Sequence, residues 1–295
     1  MRDSAKAPLI TVGMPVYNAG EQLRLAVLSI VGQTCPEWEL LIIDDGSTDG
    51  ALRHIADIRD ERIRILSDGQ NKGLAVRLNE CIDLARGTYF ARMDQDDVSF
   101  PERFEQQLEA LKKDPQLDLV GVRALKITSD NEATGLYPYL GTHEQICARP
   151  WVGFNLPHPT WMGKTSWFRR YRYTTPGPYY SEDMDLLLRS YGASRFGMLP
   201  TVLFAYRVRS DIVWDRQFKA RKAVLAIQLK AFGRSHQWGF ACLAILALIL
   251  RLTSDSVRIA KQSLRIAGPR FDAVPESVAK CWNKISNDLL SKRMN

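Results

Sequence analysis

The sequence predicts an α/β protein: a mostly parallel, twisted sheet flanked by helices, with a helical extension at the C-terminal end. Three observations carry that prediction. Short apolar and β-branched runs alternate with helical apolar spacing from residue 9 to about residue 122, which is the pattern of βαβ units. Polar or acidic loops follow three of those runs directly, as at the ligand-bearing edge of an open α/β sheet. Past about residue 213 the chain turns basic and helical in pattern. The expected organisation is one α/β domain over 1–212 and a basic helical extension over 213–295.

Leu9–Met14 forms a buried first strand ending at Pro15-Val16-Tyr17-Asn18. After the Asn18-Ala19-Gly20 turn, Leu23, Val27, Ile30 and Val31 recur at helical spacing, and Cys35-Pro36 stops the helix. Trp38–Ile43 is a second strand running into Asp44-Asp45-Gly46-Ser47-Thr48-Asp49-Gly50, residues that adopt unusual backbone angles or bond to the backbone. A helix over about 51–59 and a strand at Ile63–Leu66 follow. Asn71 is expected to cap a helix with inner face Leu74, Leu78, Ile82 and Ala85. Thr88–Met93 is the central strand, Pro101 starts a helix with inner face Phe104, Leu108 and Leu111, and Leu117–Val122 is another strand. From about 130 to 180 the pattern weakens into Pro, Gly and aromatics such as Trp151, Phe154, Trp161 and Trp167. Core packing explains such aromatics more often than a sugar site does. His158, between Pro157 and Pro159, reads as structural before it reads as a ligand.

The central strand ends in Asp94-Gln95-Asp96-Asp97. Three carboxylates in four residues repel one another, and a fold gains nothing by gathering them unless a cation or donor-rich ligand offsets the repulsion. Hard cations such as Mg2+ and Mn2+ take carboxylate oxygens and keep water or phosphate as further ligands. Asp-x-Asp at a strand end is therefore a candidate metal site, with a solvated acidic loop as the alternative. Ser181-Glu182-Asp183-Met184-Asp185 opens a helix with inner face Met184, Leu187, Leu188 and Tyr191. An N-cap serine and first-turn acids have a purely structural use. The chemical reading is a carboxylate held at a helix start as a general base, kept ionised by the dipole. Arg189, Arg207 and Arg209 are candidates to face a diphosphate. No Gly-x-Gly-x-x-Gly follows the first strand and no Gly-Lys-Ser/Thr phosphate loop is expected anywhere in the chain, so dinucleotide and P-loop readings lack support.

At 295 residues, with 45% apolar and 25% charged, the chain suits one large core plus an appendage. Cys35, Cys81, Cys147, Cys242 and Cys281 are scattered and form no Cys-x-x-Cys. Reduced cytosolic thiols are expected, not a disulfide framework or a zinc site. Met1–Ala7 holds no apolar stretch of a signal peptide, so a cytoplasmic location is expected. The net charge of +7 is uneven: residues 215–295 hold 15 Lys and Arg against 5 Asp and Glu, leaving 25 against 28 in residues 1–214. Such a tail can serve nucleic acid, anionic lipid or a phosphorylated substrate.

These motifs together resemble glycosyltransferase family 2. The likeness rests on Pro15-Val16-Tyr17-Asn18, Trp38–Gly46 with its Asp-Asp-Gly-Ser ending, Asp94-Gln95-Asp96-Asp97, and Ser181-Glu182-Asp183 with Asp185 and Arg189. Asn71-Lys72-Gly73 and Gly87-Thr88-Tyr89 also fit, and the whole spans residues 9–210 in the family's order. The resemblance implies a GT-A fold, a Rossmann-type sheet, and an inverting, nucleotide-sugar-dependent enzyme. It implies that Val16 and Tyr17 flank the base, Asp45 bonds the uracil or equivalent ring, and Asp94 meets the ribose. Asp96 would bind Mg2+ or Mn2+, and Asp183 would be the catalytic base. Partners implied are a UDP-sugar donor and a glycan or lipid-linked acceptor in cell-surface polysaccharide synthesis; no nucleic acid is expected. Relatives often carry Tyr-Arg-x-His where this chain reads Tyr206-Arg207-Val208-Arg209, and an arginine does not ligate a metal.

Trp238–Leu250 is an uninterrupted apolar run of 13 residues, with Arg234 and His236 before it and Arg251 after. A span needs about 20 apolar residues, so the run is expected either to pack on the domain or to dip into one leaflet. The basic stretches Lys219–Lys230 and Arg251–Arg270 favour a peripheral place on an anionic membrane face. The alternatives are a nucleotidyltransferase on a similar sheet, which lacks its Gly-rich, Lys-containing loop here, and a non-catalytic membrane- or nucleic-acid-binding protein using the basic tail. Four retained acids, Asp45, Asp94, Asp96 and Asp183, argue against a decayed site.

Overall fold

The computed structural model describes residues 7–178, 180–208, 213–263 and 274–294. In chain order its elements are β1 (Ile10–Val16), α1 (Gln22–Val31), β2 (Trp38–Asp44), β3 (Ile63–Ser67), α2 (Leu74–Leu84), β4 (Tyr89–Arg92), β5 (Val98–Ser99), α3 (Arg103–Lys113), β6 (Leu119–Ile127), β7 (Ala133–Leu136), α4 (His143–Ile146), β8 (Met162–Lys164), α5 (Thr165–Tyr171), α6 (Glu182–Ser190), β9 (Phe196–Arg207), α7 (Trp214–Arg234), α8 (Trp238–Ser263) and α9 (Glu276–Met294). The strands form one nine-stranded sheet in the order β3-β2-β1-β4-β8-β6-β9-β5, with β7 beside β6. Strands β3, β2, β1 and β4 are mutually parallel, β6 and β9 are parallel, and β8, β5 and β7 pair antiparallel. The mixed half follows from strands of two to four residues, which are too short to announce themselves by alternation.

Both faces of the sheet are covered, which is why β1 and β2 read as unbroken apolar runs and are buried along their whole length. One face packs Leu23 and Ile30 of α1, Phe104 and Leu108 of α3, and Trp282 and Leu289 of α9. The other packs Leu78 and Ile82 of α2, Trp167 and Phe168 of α5, and Leu186 and Leu187 of α6. The last helix thus rejoins the main core, with Trp282 stacked on Phe100 and its indole N–H donating to Asn131 O at 2.8 Å. A smaller cluster joins Met184 and Leu188 of α6 to Phe232 of α7 and to Ala241 and Ala244 of α8.

Several expectations are corrected. The helix expected over 51–59 is a short 3-10 segment, Ala51–Ile55, because Asp49 takes both the Ala51 and the Gly20 backbone N–H and ties the turn to the loop after β1. Asn71 does not cap α2, which starts after Gly73 at φ 87°; the carboxylate of Asp45 holds the Lys72 and Gly73 N–H groups outside the helix. The 13-residue apolar run is only the first part of α8, a 26-residue helix whose stretch Trp238–Val257 is long and apolar enough to cross a membrane. A Gly-Lys-Thr triplet does occur, at Gly163-Lys164-Thr165, but it lies across β8 and α5 and not in a loop, and Lys164 Nζ is engaged by Pro115 O and Asp118. All five cysteines are unpaired thiols.

Candidate active site

Three loops meet at the carboxyl edge of β1, β2 and β4, and side chains lace them together. The Gln95 side chain accepts from Tyr17 N at 2.6 Å and donates to Tyr17 O at 3.0 Å, joining the acidic loop to the loop after β1. Asn18 N donates to Ser47 Oγ, and Asn18 Oδ1 accepts from Thr48 N, joining the β1 loop to the β2 loop. Gly46 sits at φ 76°, where an added Cβ would lie 3.0 Å from the Gln70 backbone; the close approach and the positive φ both call for glycine. Gln95 thus has a structural use that the sequence did not announce.

Val16 is buried, and its carbonyl accepts from Asp45 N at 2.7 Å. Tyr17, at 47% exposure, leaves its ring open at the same edge. Both Asp45 oxygens already accept hydrogen bonds, from Lys72 N (2.6 Å), Gly73 N (2.9 Å) and Arg77 Nε (2.8 Å). A carboxylate has about four acceptor positions, so Asp45 organises the 68–77 segment and keeps capacity for one more donor. Arg77 is buried and also binds Asp68, Glu80 and Gln70 O. Its place on the inward face of α2 beside Leu78 was the sequence signal for it.

The acidic loop rests on buried arginines. Arg92 Nη1 lies 2.5 Å from Asp94 Oδ2. Burial favours its neutral form, but Asp94 and the neighbouring Tyr173 and Glu182 outweigh that and raise its pKa, so it stays a cation. Its Nε is buried with no hydrogen-bond partner among the described residues. Arg103 lies beneath the loop, donating to Arg92 O and Gln107; burial lowers its pKa to about 9. Arg207 N donates to Asp97 Oδ1 at 2.7 Å, and its guanidinium donates to Asp96 O, Thr128 O, Ser129 O and Asn131. Arg207 is thereby spent on holding the loop's shape. Arg189 is likewise engaged, with Asp185 and the carbonyls of Tyr171 and Arg172. Arg209 lies outside the described residues.

Burial, and then the charge of Asp94, raise the Asp96 carboxyl to about 6. Burial and the same neighbours raise Asp97 well above its ordinary value, and Asp97 Oδ2 has no hydrogen-bond partner among the described residues. An orphaned oxygen and two carboxyls pushed towards protonation show that the chain's own donors and cations offset this acidic cluster only in part. Among the described residues no three His, Cys, Asp or Glu side chains converge as an ion cage. The donor set fits Mg2+ or Mn2+, which bind through one or two carboxylates and take remaining ligands from water and substrate phosphates.

Glu182 and Asp183 occupy the first turn of α6, where Ser181 stands at the N-cap and its carbonyl accepts from Asp185 N. Burial, followed by the charge of Asp183, lifts Glu182 to about 7. Burial also raises Asp183, against the lowering effect of the Met184 backbone N–H and Arg92; here burial outweighs the helix dipole on which the sequence reading relied. His158 is buried, with Nε2 2.7 Å from Tyr173 Oη and Nδ1 3.7 Å from Glu182. Burial and Arg92 depress its pKa well below the ordinary value, so it is neutral. Arg92 links the two halves of the site, since its charge acts on Asp96, Glu182 and Asp183 alike.

A curled, mixed sheet with an acidic strand-end loop at its carboxyl edge and a carboxylate pair at a facing helix start defines the GT-A class of fold. Residues 11–172, more than half of the chain, match the family profile described as Glycosyl transferase family 2, and the chain belongs to that family. It is 40% identical over 121 residues to the EpsE protein of Bacillus subtilis, covering 40% of this chain and 44% of that one. It is 32% identical over 105 residues to the UDP-Glc:alpha-D-GlcNAc-diphosphoundecaprenol beta-1,3-glucosyltransferase WfgD of Escherichia coli, covering 36% and 42%. The matches thus span less than half the length of these relatives. Among solved structures, S. aureus TarS 1–349 in complex with UDP-GlcNAc superposes with TM-score 0.61 at 16% identity, over 95% of this chain and 80% of that one. Mannosyltransferase PcManGT of Pyrobaculum calidifontis, in complex with GDP-Man and Mn2+, gives 0.58 at 15% identity, over 98% and 88%. At these identities the structural likeness establishes the fold.

Proposed function

We propose that the protein is a metal-dependent, inverting glycosyltransferase that moves a sugar from a UDP-sugar to a glycan or lipid-linked acceptor in cell-surface polysaccharide synthesis. The observation that carries the reading is the convergence of the open Tyr17 ring, the Asp94–Asp96 loop and the half-buried Glu182–Asp183 pair, with the Arg92 charge acting on both carboxylate groups. The donor named for WfgD and the UDP-GlcNAc bound to TarS support a uridine nucleotide. The five free thiols fit a reducing compartment. Residues 1–212 carry the chemistry in this reading, and 213–295 support it.

In this reading Tyr17 lies against the base, with Val16 beneath it, Asp45 accepts from the base edge and Asp94 accepts from the ribose. Asp96 would hold a divalent cation, Mg2+ or Mn2+, which when bound would supply stabilisation of charge on the leaving diphosphate. Asp183 accepts the acceptor hydroxyl proton as that oxygen bonds the anomeric carbon and the bond to the diphosphate oxygen breaks, inverting the centre. A base whose pKa burial has raised from the ordinary carboxylate range is better matched to that transfer near neutral pH. Glu182 is raised to about 7, and the reading takes it as the protonated member of the pair and Asp183 as the ionised one.

The test is thermal stabilisation by UDP-, GDP- and dTDP-sugars with and without Mn2+. A saturating ligand at 100 times its Kd stabilises by about 2.7 kcal/mol, and the reading expects this for UDP-sugars with Mn2+. Asp96→Ala should remove the metal-dependent part. Stabilisation by no sugar nucleotide, with or without metal, overturns the donor site.

A further inference from the structure

Helices α7 and α8 fold back on one another through Ser235-His236-Gln237. Ala241 and Ala244 pack against Phe232, and Arg221 pairs with the buried Asp255 at 3.1 Å. Away from that seam, Trp238, Ile245, Leu246, Ile249, Leu250 and Val257 are each 45–63% exposed. Apart from Trp238 at the helix start, their spacing puts them along one side of α8. Only 17% of the Trp238–Val257 stretch is buried, at mean hydropathy 1.8. A continuous apolar face of this kind marks a surface with a partner.

The companion helix says what the partner is. Arg216, Lys222, Lys230 and Arg234 are exposed on α7 at intervals of six, eight and four residues, which keeps them on one side of that helix, while Lys219 on the same side pairs with Asp215. A row of bases beside an apolar row suits anionic phospholipid: the lysines and arginines meet headgroups while the leucines and isoleucines enter the acyl boundary. A second copy of this chain is a poor match, because it brings an identical basic row against the first. Crossing the bilayer is a poor match too, since α8 would carry Arg251, Asp255 and the attached Arg221 of α7 into hydrocarbon.

We propose that the α7–α8 hairpin seats the protein peripherally on an anionic lipid surface, the inner face of the cell membrane, with α8 lying in the interface. The consequence for the site is direct. Helix α6, which carries Glu182 and Asp183, packs on this hairpin through Met184 and Leu188, so the base is one helix away from the lipid and the acceptor is membrane-borne. That last step rests on the proposed transferase activity; lipid docking itself does not.

The experiment is co-sedimentation of the full chain with vesicles of phosphatidylcholine plus phosphatidylglycerol, compared with phosphatidylcholine alone, without donor or acceptor. Binding to the anionic vesicles, weakened as salt rises, is the expected result. Leu246→Glu/Leu250→Glu, both on the solvent side, should cut partitioning at least about tenfold, and Lys222→Gln/Lys230→Gln about tenfold, with melting temperatures unchanged. Absence of sedimentation, equal binding to neutral vesicles, or undiminished binding by the glutamate variant overturns the proposal. So does a solution dimer that the glutamate variant dissociates while vesicles bind nothing. Because no sugar nucleotide is present, failure here is separable from failure of the donor screen.

Discussion

Replacing Glu182 by Gln asks which of the two carboxylates at the start of α6 carries the negative charge. Burial and the charge of Asp183 lift Glu182 from 4.5 to about 7. A folded-state pKa above the unfolded value means that the native protein holds a proton which the unfolded chain releases. The stability so gained is fully present below about pH 4.5 and is lost as pH rises through about 7. The gap, at about 1.36 kcal/mol per pH unit, amounts to about 3 kcal/mol. Gln is isosteric and does not titrate, so the variant escapes that loss. Relative to wild type, Glu182→Gln should gain about 2.5 kcal/mol between about pH 5 and about pH 8, read as about 5–10 °C in melting temperature. Thermal or urea unfolding of both proteins across that range, with chelator and without donor, is the assay. Asp96 also titrates in this window, but it is common to both proteins and cancels in the difference. His158 is held neutral and adds nothing. A stability difference that is flat with pH, or that slopes the other way, refutes the assignment of the proton to Glu182.

Asp183→Asn should lower kcat by about 10²–10⁴-fold, the usual contribution of a general base, while calorimetric donor affinity stays near wild type. Arg77→Met leaves the buried Asp45 carboxylate without its cation and should cost about 3–5 kcal/mol in denaturant unfolding. Its donor affinity should fall as well, since Asp45 orders the loop to which the proposed reading assigns the base. Trp282→Ala removes the stack on Phe100 and the donor to Asn131 O, a loss of about 3–5 kcal/mol. Unfolding should then show whether α9 melts with the α/β core or ahead of it.

The N-terminal half of the fold was legible because each element there has one dominant signal. β1 and β2 are continuous apolar runs, and the inner faces of α1 and α3 repeat at helical spacing. The illegible part has no such signal. β5 is two residues long, β8 is three, and β9 is interrupted by an exposed break around Pro200 and Thr201 between two buried halves. Tertiary pairing alone makes these segments strands. Candidate site residues such as Asp94, Asp96 and Asp183 could be singled out because their types are chemically conspicuous. What escaped were the groups supporting them. Arg92 reads as an ordinary strand residue and Arg103 as an ordinary first-turn residue, although both are buried under the acidic loop. Gln95 sits inside the motif yet acts by clasping the backbone of Tyr17. A sequence shows where charges are gathered, while the groups that make the gathering tolerable come from other strands.

That division of labour explains why Asp96 stands apart from its neighbours. Asp94 has the Arg92 guanidinium. One oxygen of Asp97 has the Arg207 backbone N–H. Arg207 reaches the Asp96 residue too, but through its carbonyl, turning the guanidinium to Thr128, Ser129 and Asn131. Among the described residues no other side chain donates to the Asp96 carboxylate, and burial beside Asp94 pushes it to about 6. A protein selected for stability alone would answer a half-buried carboxylate with a cation of its own, and two arginines lie within reach of this loop. The fold instead engages Arg92 and Arg207 in fixing the loop's shape, and the proposed reading assigns the charge that answers Asp96 to the donor-bound cation. Local rules broken at one point, with the surroundings built to tolerate the break, are the physical mark of a binding position.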